Sequence, residues 1–138
     1  MRLCAVIDTN VLVSSLLKQG SPPYLVVRSV FEGQLIPVMN NAIFDEYTQV
    51  LYRPKFRFKT SIVETVLQQM RHSAIFVTAP ALPDDFADPK DKVFWEVVVE
   101  SRKNEDVFLV TGNIKHFPSM SFILTPRQMV DLILTGQL

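Results

Sequence analysis

A chain of 138 residues has room for one domain with one sizeable core, and its 48% apolar content excludes long disorder. Fourteen basic residues balance fourteen acidic ones, so any polyanion must be met by a local basic patch and not by overall charge. The single cysteine excludes a disulfide framework, and no apolar span is long enough to cross a bilayer. The first apolar run is interrupted at Asp8, so no secretion signal is expected, and a reducing, cytoplasmic setting is.

In chain order, Leu3 to Ile7 is a short run of β-branched and small apolar residues, the pattern of a strand buried on both faces, and it ends on Asp8. Asn10 to Leu17 reads as a helix closed by Lys18-Gln19-Gly20. Ser21 caps a second helix with prolines in its first turn, which runs to Glu32-Gly33. Leu35 to Met39 is a second strand, and Asn40-Asn41 opens a helix to about Tyr52 that Arg53-Pro54 breaks. A helix over about Thr60 to His72 precedes a third strand, Ala74 to Thr78. A proline- and acid-rich loop, Pro80 to Asp88, then leads into the longest helix, about Pro89 to Lys103. Val107 to Val110 and Phe122 to Leu124 are the last strands. Thr125-Pro126-Arg127-Gln128 is a capping box that opens a final helix ending at Thr135-Gly136. Strands alternating with helices specify a parallel sheet covered on both faces, a three-layer α/β/α sandwich formed by residues 1–138 as one domain.

In such sheets, ligands and chemistry collect beyond the carboxyl ends of the strands, where Asp8 falls. The alternative is that Asp8 or Thr9 only caps the following helix. Helix geometry ranks the other acids. In the helix after the second strand, Ile43, Phe44, Tyr47, Val50 and Leu51 share one arc, Asp45 lies opposite, and Glu46 falls at the border. Glu46 can therefore lean over the sheet edge, although a plain rim position also accounts for it. In the long helix, Asp88 suits the cap, and Lys92, Glu96, Glu100 and Lys103 form the solvated face. Asp91 aligns with Phe94, Trp95 and Val98 on the inward arc, where an unpaired carboxylate costs several kcal/mol and needs a partner. After the fourth strand, Thr111 and Asn113 offer oxygens, and Gly112 allows a tight turn. Asp106 precedes that strand and belongs to the opposite edge. Carboxylates without histidine or cysteine make a hard-oxygen site, suited to Mg²⁺ or Mn²⁺ and to phosphodiester hydrolysis.

Val6-Ile7-Asp8-Thr9-Asn10-Val11-Leu12, Glu46 in the helix after the second strand, Asp91 opening the long helix and Val110-Thr111-Gly112-Asn113 together resemble the PIN-domain nucleases. The resemblance covers essentially the whole chain and points toward the toxin components of toxin–antitoxin pairs. It implies strand order 3-2-1-4-5, metal-dependent RNA cleavage, frequent homodimerisation and an antitoxin partner. By position, Asp8, Glu46 and Asp91 match the family's acidic metal site, and Asn10 matches the polar neighbour in the first motif. Thr9, Thr111 and Gly112 support that site. Asn113 departs from the pattern, since many members carry aspartate there and the amide removes one negative charge. A non-catalytic nucleic-acid-binding module is therefore the competing reading.

Arg53, Lys55, Arg57 and Lys59 alternate with Pro54, Phe56 and Phe58, an interleaving that suits RNA, although a helix end followed by inward-packing rings would give the same pattern. Lys115 and His116 lie near Asn113 and are candidates to meet a phosphate. Leu132 and Leu134 on the last helix are candidates for a homodimer face.

Overall fold

The computed structural model describes residues 2–136. Strand β1 (Leu3–Ile7) is followed by α1 (Thr9–Leu17) and α2 (Pro22–Phe31), and β2 (Leu35–Met39) by α3 (Asn41–Leu51), a 3-10 turn (Pro54–Phe56) and α4 (Thr60–Ser73). The chain continues through β3 (Ile75–Phe76), α5 (Pro89–Ser101), β4 (Val107–Val110), a second 3-10 turn (Ile114–His116), β5 (Ile123–Leu124) and α6 (Pro126–Thr135). The strands form one parallel sheet flanked by the helices, as the alternating pattern implies, and its order β3-β2-β1-β4-β5 is the one the family resemblance implies.

The caps expected at Ser21 and Thr125 form, and Asn40 supplies a further one. Ser21 accepts the Tyr24 amide, Asn40 accepts the Ile43 amide at 2.9 Å, and Thr125 and Gln128 make the reciprocal capping box. Each satisfies an otherwise orphaned backbone donor. β1 is central and buried along nearly its whole length, which is why it reads as a continuous apolar run with no alternation.

β3 is shorter than the Ala74–Thr78 run expected from composition. It pairs only with Val38 and Met39 of β2. One residue earlier on β2 stands Pro37, which lacks an amide hydrogen, and one residue later Asn40 leaves the strand to cap α3. The available ladder is thus two residues long, extended by one further bond from the Val77 amide to the Met39 carbonyl at 2.9 Å.

The loop before α5 is pinned to that helix. The Leu82 amide donates to Glu96 Oε2 at 2.7 Å, Trp95 Nε1 donates to Asp84 Oδ2 at 3.2 Å, and the Phe86 ring packs on Trp95 and Phe117. Glu96 is half-buried beneath the loop, so the face expected to be solvated is partly roofed by it. On α6, Leu132 is buried and unavailable to a partner, whereas Leu134 is 76% exposed. At the opposite edge of the sheet, Cys4 is buried and donates to Glu105, which also pairs with Arg2. Burial, with help from the Glu105 carboxylate, pushes its thiol up to about 11 and leaves it unreactive.

α3 crosses the carboxyl end of the sheet. Its Tyr47 is fully buried, donates its hydroxyl to the Ile7 carbonyl at the end of β1, and meets the Phe94 ring of α5. Removing that donor in Tyr47→Phe leaves a buried carbonyl unpaired, a loss of about 1–3 kcal/mol. The expected readout is a lower urea midpoint with an unchanged m-value; an unchanged midpoint would show that the hydroxyl does not hold α3 in place.

Candidate active site

Asp8 follows the last residue of β1 and is 5% exposed. Its amide donates to the Val110 carbonyl at 2.9 Å, which continues the β1–β4 ladder one step past the strand. Asp8 occupies the position before α1, but its carboxylate makes no capping hydrogen bond to that helix. The carboxylate accepts instead from the Thr111 hydroxyl across the strands, Oγ1 to Oδ2 at 2.7 Å, and the Asn113 amide donates in turn to Thr111 Oγ1 at 3.0 Å. A capping role therefore does not account for Asp8. Thr111, fully buried at the end of β4, orients it.

Glu46 is half-buried beside exposed Asp45, as the helical arcs imply. Its Oε2 accepts from the hydroxyl of buried Thr9 at 3.1 Å, which couples α3 to the start of α1. Asp91 lies in the first turn of α5 with its side chain 16% exposed, and its Oδ2 stands 3.3 Å from His116 Nδ1. Asp88 is the cap of α5, accepting the Lys90 amide at 3.0 Å. Asn113 is half-buried and Asn10 is exposed. Gly112 has an ordinary backbone conformation with open space where a Cβ would sit, so the turn does not require glycine.

The acids share one electrostatic field. Burial raises the Asp8 pKa above its ordinary 3.8, and the Asp91 charge adds to the rise, against the Thr111 hydroxyl and the nearby amides of Thr9 and Asn10. Asp91 is also raised, first by burial and then by Asp88, with Glu46 adding and His116 opposing. The Tyr47 hydroxyl beneath them is raised well above 10 by burial and by the charges of Asp8 and Glu46. Its arc in the sequence marked Tyr47 as core, but nothing there identified it as the residue joining α3 to the strand that carries Asp8.

Asp8, Glu46 and Asp91 thus interact, but not as the ready-made cage expected from sequence. Among the described residues, no group of three or more His, Cys, Asp or Glu side chains is placed to hold a metal ion. Each carboxylate takes its own neighbour, Thr111, Thr9 or His116. The chemistry of the donors still fits a hard divalent cation, since all three are oxygen ligands and buried Asp8 forms no salt bridge.

Lys115 and His116 border a cleft of about 530 Å³ together with Asp88 and Asp91. Arg53, Lys55, Arg57 and Lys59 are exposed, while the stacked rings of Phe56 and Phe58 pack toward the core. This basic segment follows the far end of α3, and none of its four cations lines the cleft that holds Asp88 and Asp91.

Burial raises the pKa of Asp8 and of Asp91, so their charged forms are held at a cost to the fold. A carboxyl whose pKa is raised by folding stabilises the fold fully below its unfolded value and loses that contribution as pH rises through the folded value. In chelator, Asp8→Asn should therefore raise Tm at neutral pH by a few degrees, with the difference shrinking as pH falls toward 3.8. Added Mn²⁺ should raise the wild-type Tm and leave that of Asp8→Asn nearly unmoved. Equal Mn²⁺ shifts in both proteins would separate Asp8 from the ion.

The family model for the PIN domain matches residues 4–115, a span that includes Asp8, Glu46, Asp91, Thr111 and Asn113. No curated protein sequence and no solved structure matches the chain. PIN domains generally hydrolyse nucleic acids and typically depend on a divalent metal. With its strand order and a match over most of its length, this chain belongs to the PIN-domain family.

Proposed function

We propose that this chain is a metal-dependent endoribonuclease that hydrolyses RNA phosphodiesters and serves as the toxin of a toxin–antitoxin pair in the cytoplasm. The observation that carries the reading is Asp8, a buried carboxylate directed by Thr111 to the edge where Asp91 and Glu46 contribute to the same field. Asp8, Glu46 and Asp91 would hold Mg²⁺ or Mn²⁺. The ion would activate water and neutralise the scissile phosphate.

The chain's own groups prepare that chemistry. The Thr111 hydroxyl fixes the rotation of the Asp8 carboxylate, and Thr9 holds the Glu46 carboxylate near the start of α1. Lys115 and His116, at the mouth of the cleft that includes Asp91, offer N–H donors to a phosphate. Asn113 is a neutral amide at the same edge, with its backbone already engaged to Thr111. That missing charge favours one second reading, a catalytically weakened module that binds RNA without turning it over.

Purified protein should cleave single-stranded RNA with Mn²⁺ or Mg²⁺ and stop in excess chelator, and it should leave DNA of the same sequence intact. Asp8→Asn should cost ~10²-fold or more, as loss of a charged group at the reacting centre does. Thr111→Val, which leaves Asp8 present but unoriented, should cost about 10–100-fold in activity or metal affinity. Full activity of Asp8→Asn, or cleavage in chelator, would overturn the assignment. RNA binding without cleavage that turns into cleavage in Asn113→Asp would select the weakened module.

A further inference from the structure

Beyond β2 and β3, on the same edge as Asp8, a cleft of about 490 Å³ is lined by Asn41, Arg71, Phe76 and Thr78 among others. Arg71 comes from the last turns of α4 and is exposed. Its guanidinium lies 5.1 Å from the centre of the Phe44 ring and 5.9 Å from that of Phe76. Among the described residues, its side chain enters no hydrogen bond or ion pair, whereas Arg2, Arg28 and Arg102 each meet a carboxylate. Two rings thus restrain a guanidinium whose donors are all unused. Phe76, a large ring at the end of a strand, is itself 40% exposed.

We propose that this cleft is a subsite for a nucleotide flanking the scissile bond of a single-stranded nucleic acid, with Arg71 holding a phosphate and Phe76 stacking the base. The chemistry selects this ligand over an acidic peptide. Arg71 is the only charged side chain among the residues lining the cleft, beside one open ring and the amide and hydroxyl groups of Asn41 and Thr78. One cation, one ring and a few neutral polar groups match one phosphate–base unit, whereas an acidic peptide calls for several cations. A paired base cannot lie on the ring, so the strand must be single. Position supports the same ligand. β2 is directly beside β1 and β3 directly beside β2, so the cleft stands about 10 Å from Asp8 at about 4.8 Å per strand. That is within reach of a strand passing over the acids. The term "flanking" rests on the nuclease reading; binding in the cleft does not.

The test is fluorescence anisotropy of a short labelled single-stranded RNA with the full chain in chelator, where no cleavage interferes, over a series of salt concentrations. Arg71→Ala should weaken binding about tenfold and make the logarithmic salt slope shallower by about 0.7, the share of one phosphate contact on a single strand. Phe76→Ala should weaken binding about tenfold with the slope unchanged. Arg71→Lys should keep the slope while losing part of the affinity, and it serves as the second variant should the alanine protein fold poorly. Variants that keep the wild-type circular dichroism and bind RNA as tightly as the wild type would overturn the subsite and leave the nuclease reading standing. A wild-type chain that binds RNA through Arg71 but cleaves none would end the nuclease reading and leave the subsite standing. An acidic peptide that displaces the RNA from the wild type, but not from Arg71→Ala, would overturn the choice of ligand.

Discussion

The hydrogen bond from the Thr111 hydroxyl to the Asp8 carboxylate joins the ends of two adjacent parallel strands, and the candidate site is built around it. Asp8 is buried, so its charge is costly unless something meets it, and the Thr111 hydroxyl with the nearby amides of Thr9 and Asn10 meets it only in part. Stability alone would favour an apolar residue there. A carboxylate retained at that cost, at the edge of the sheet where parallel folds bind their ligands, has its natural complement in a cation.

The rest of the structure can be understood as what brings other acids to that carboxylate. Tyr47 ties α3 to the last carbonyl of β1, which sets Glu46 near the start of α1. The pinned loop and the Asp88 cap fix the start of α5, which sets Asp91. The same edge, two strands away, carries the Arg71 cleft. The acids proposed to hold a metal and the cation and ring proposed to hold a nucleotide therefore lie along one rim. That division suits a neutral chain: local groups, and not net charge, would have to bind the polyanion.

Much of this was legible in the residues. β1, β2 and β4 are apolar runs bounded by turn or cap signals, and caps at Ser21, Asp88 and Thr125 are local chemistry that a sequence displays directly. The arcs of α3 and α5 separated Glu46 from Asp45 and turned Asp91 inward because helix geometry is periodic. What stayed hidden depends on contacts between distant segments. The shortness of β3 follows from Pro37 on its neighbour, and the partial burial of Glu96 follows from a loop laid over its helix. The individual partners of Asp8, Glu46 and Asp91 depend on side-chain rotation, which spacing does not encode. Nothing in the sequence singled out Arg71. Its significance comes from rings 27 residues before it and five after, Phe44 and Phe76, which only the fold brings together.

The carboxylates at this rim are proposed to hold a divalent cation. The most direct measurement is anomalous diffraction from crystals of the full chain grown with Mn²⁺. A manganese peak bound by Asp8 together with Glu46 or Asp91 is expected, with the Asp91–His116 or Glu46–Thr9 contact rearranged to admit it. A rim without manganese while the ion is bound elsewhere, or carboxylates left on their present partners at saturating Mn²⁺, would contradict it.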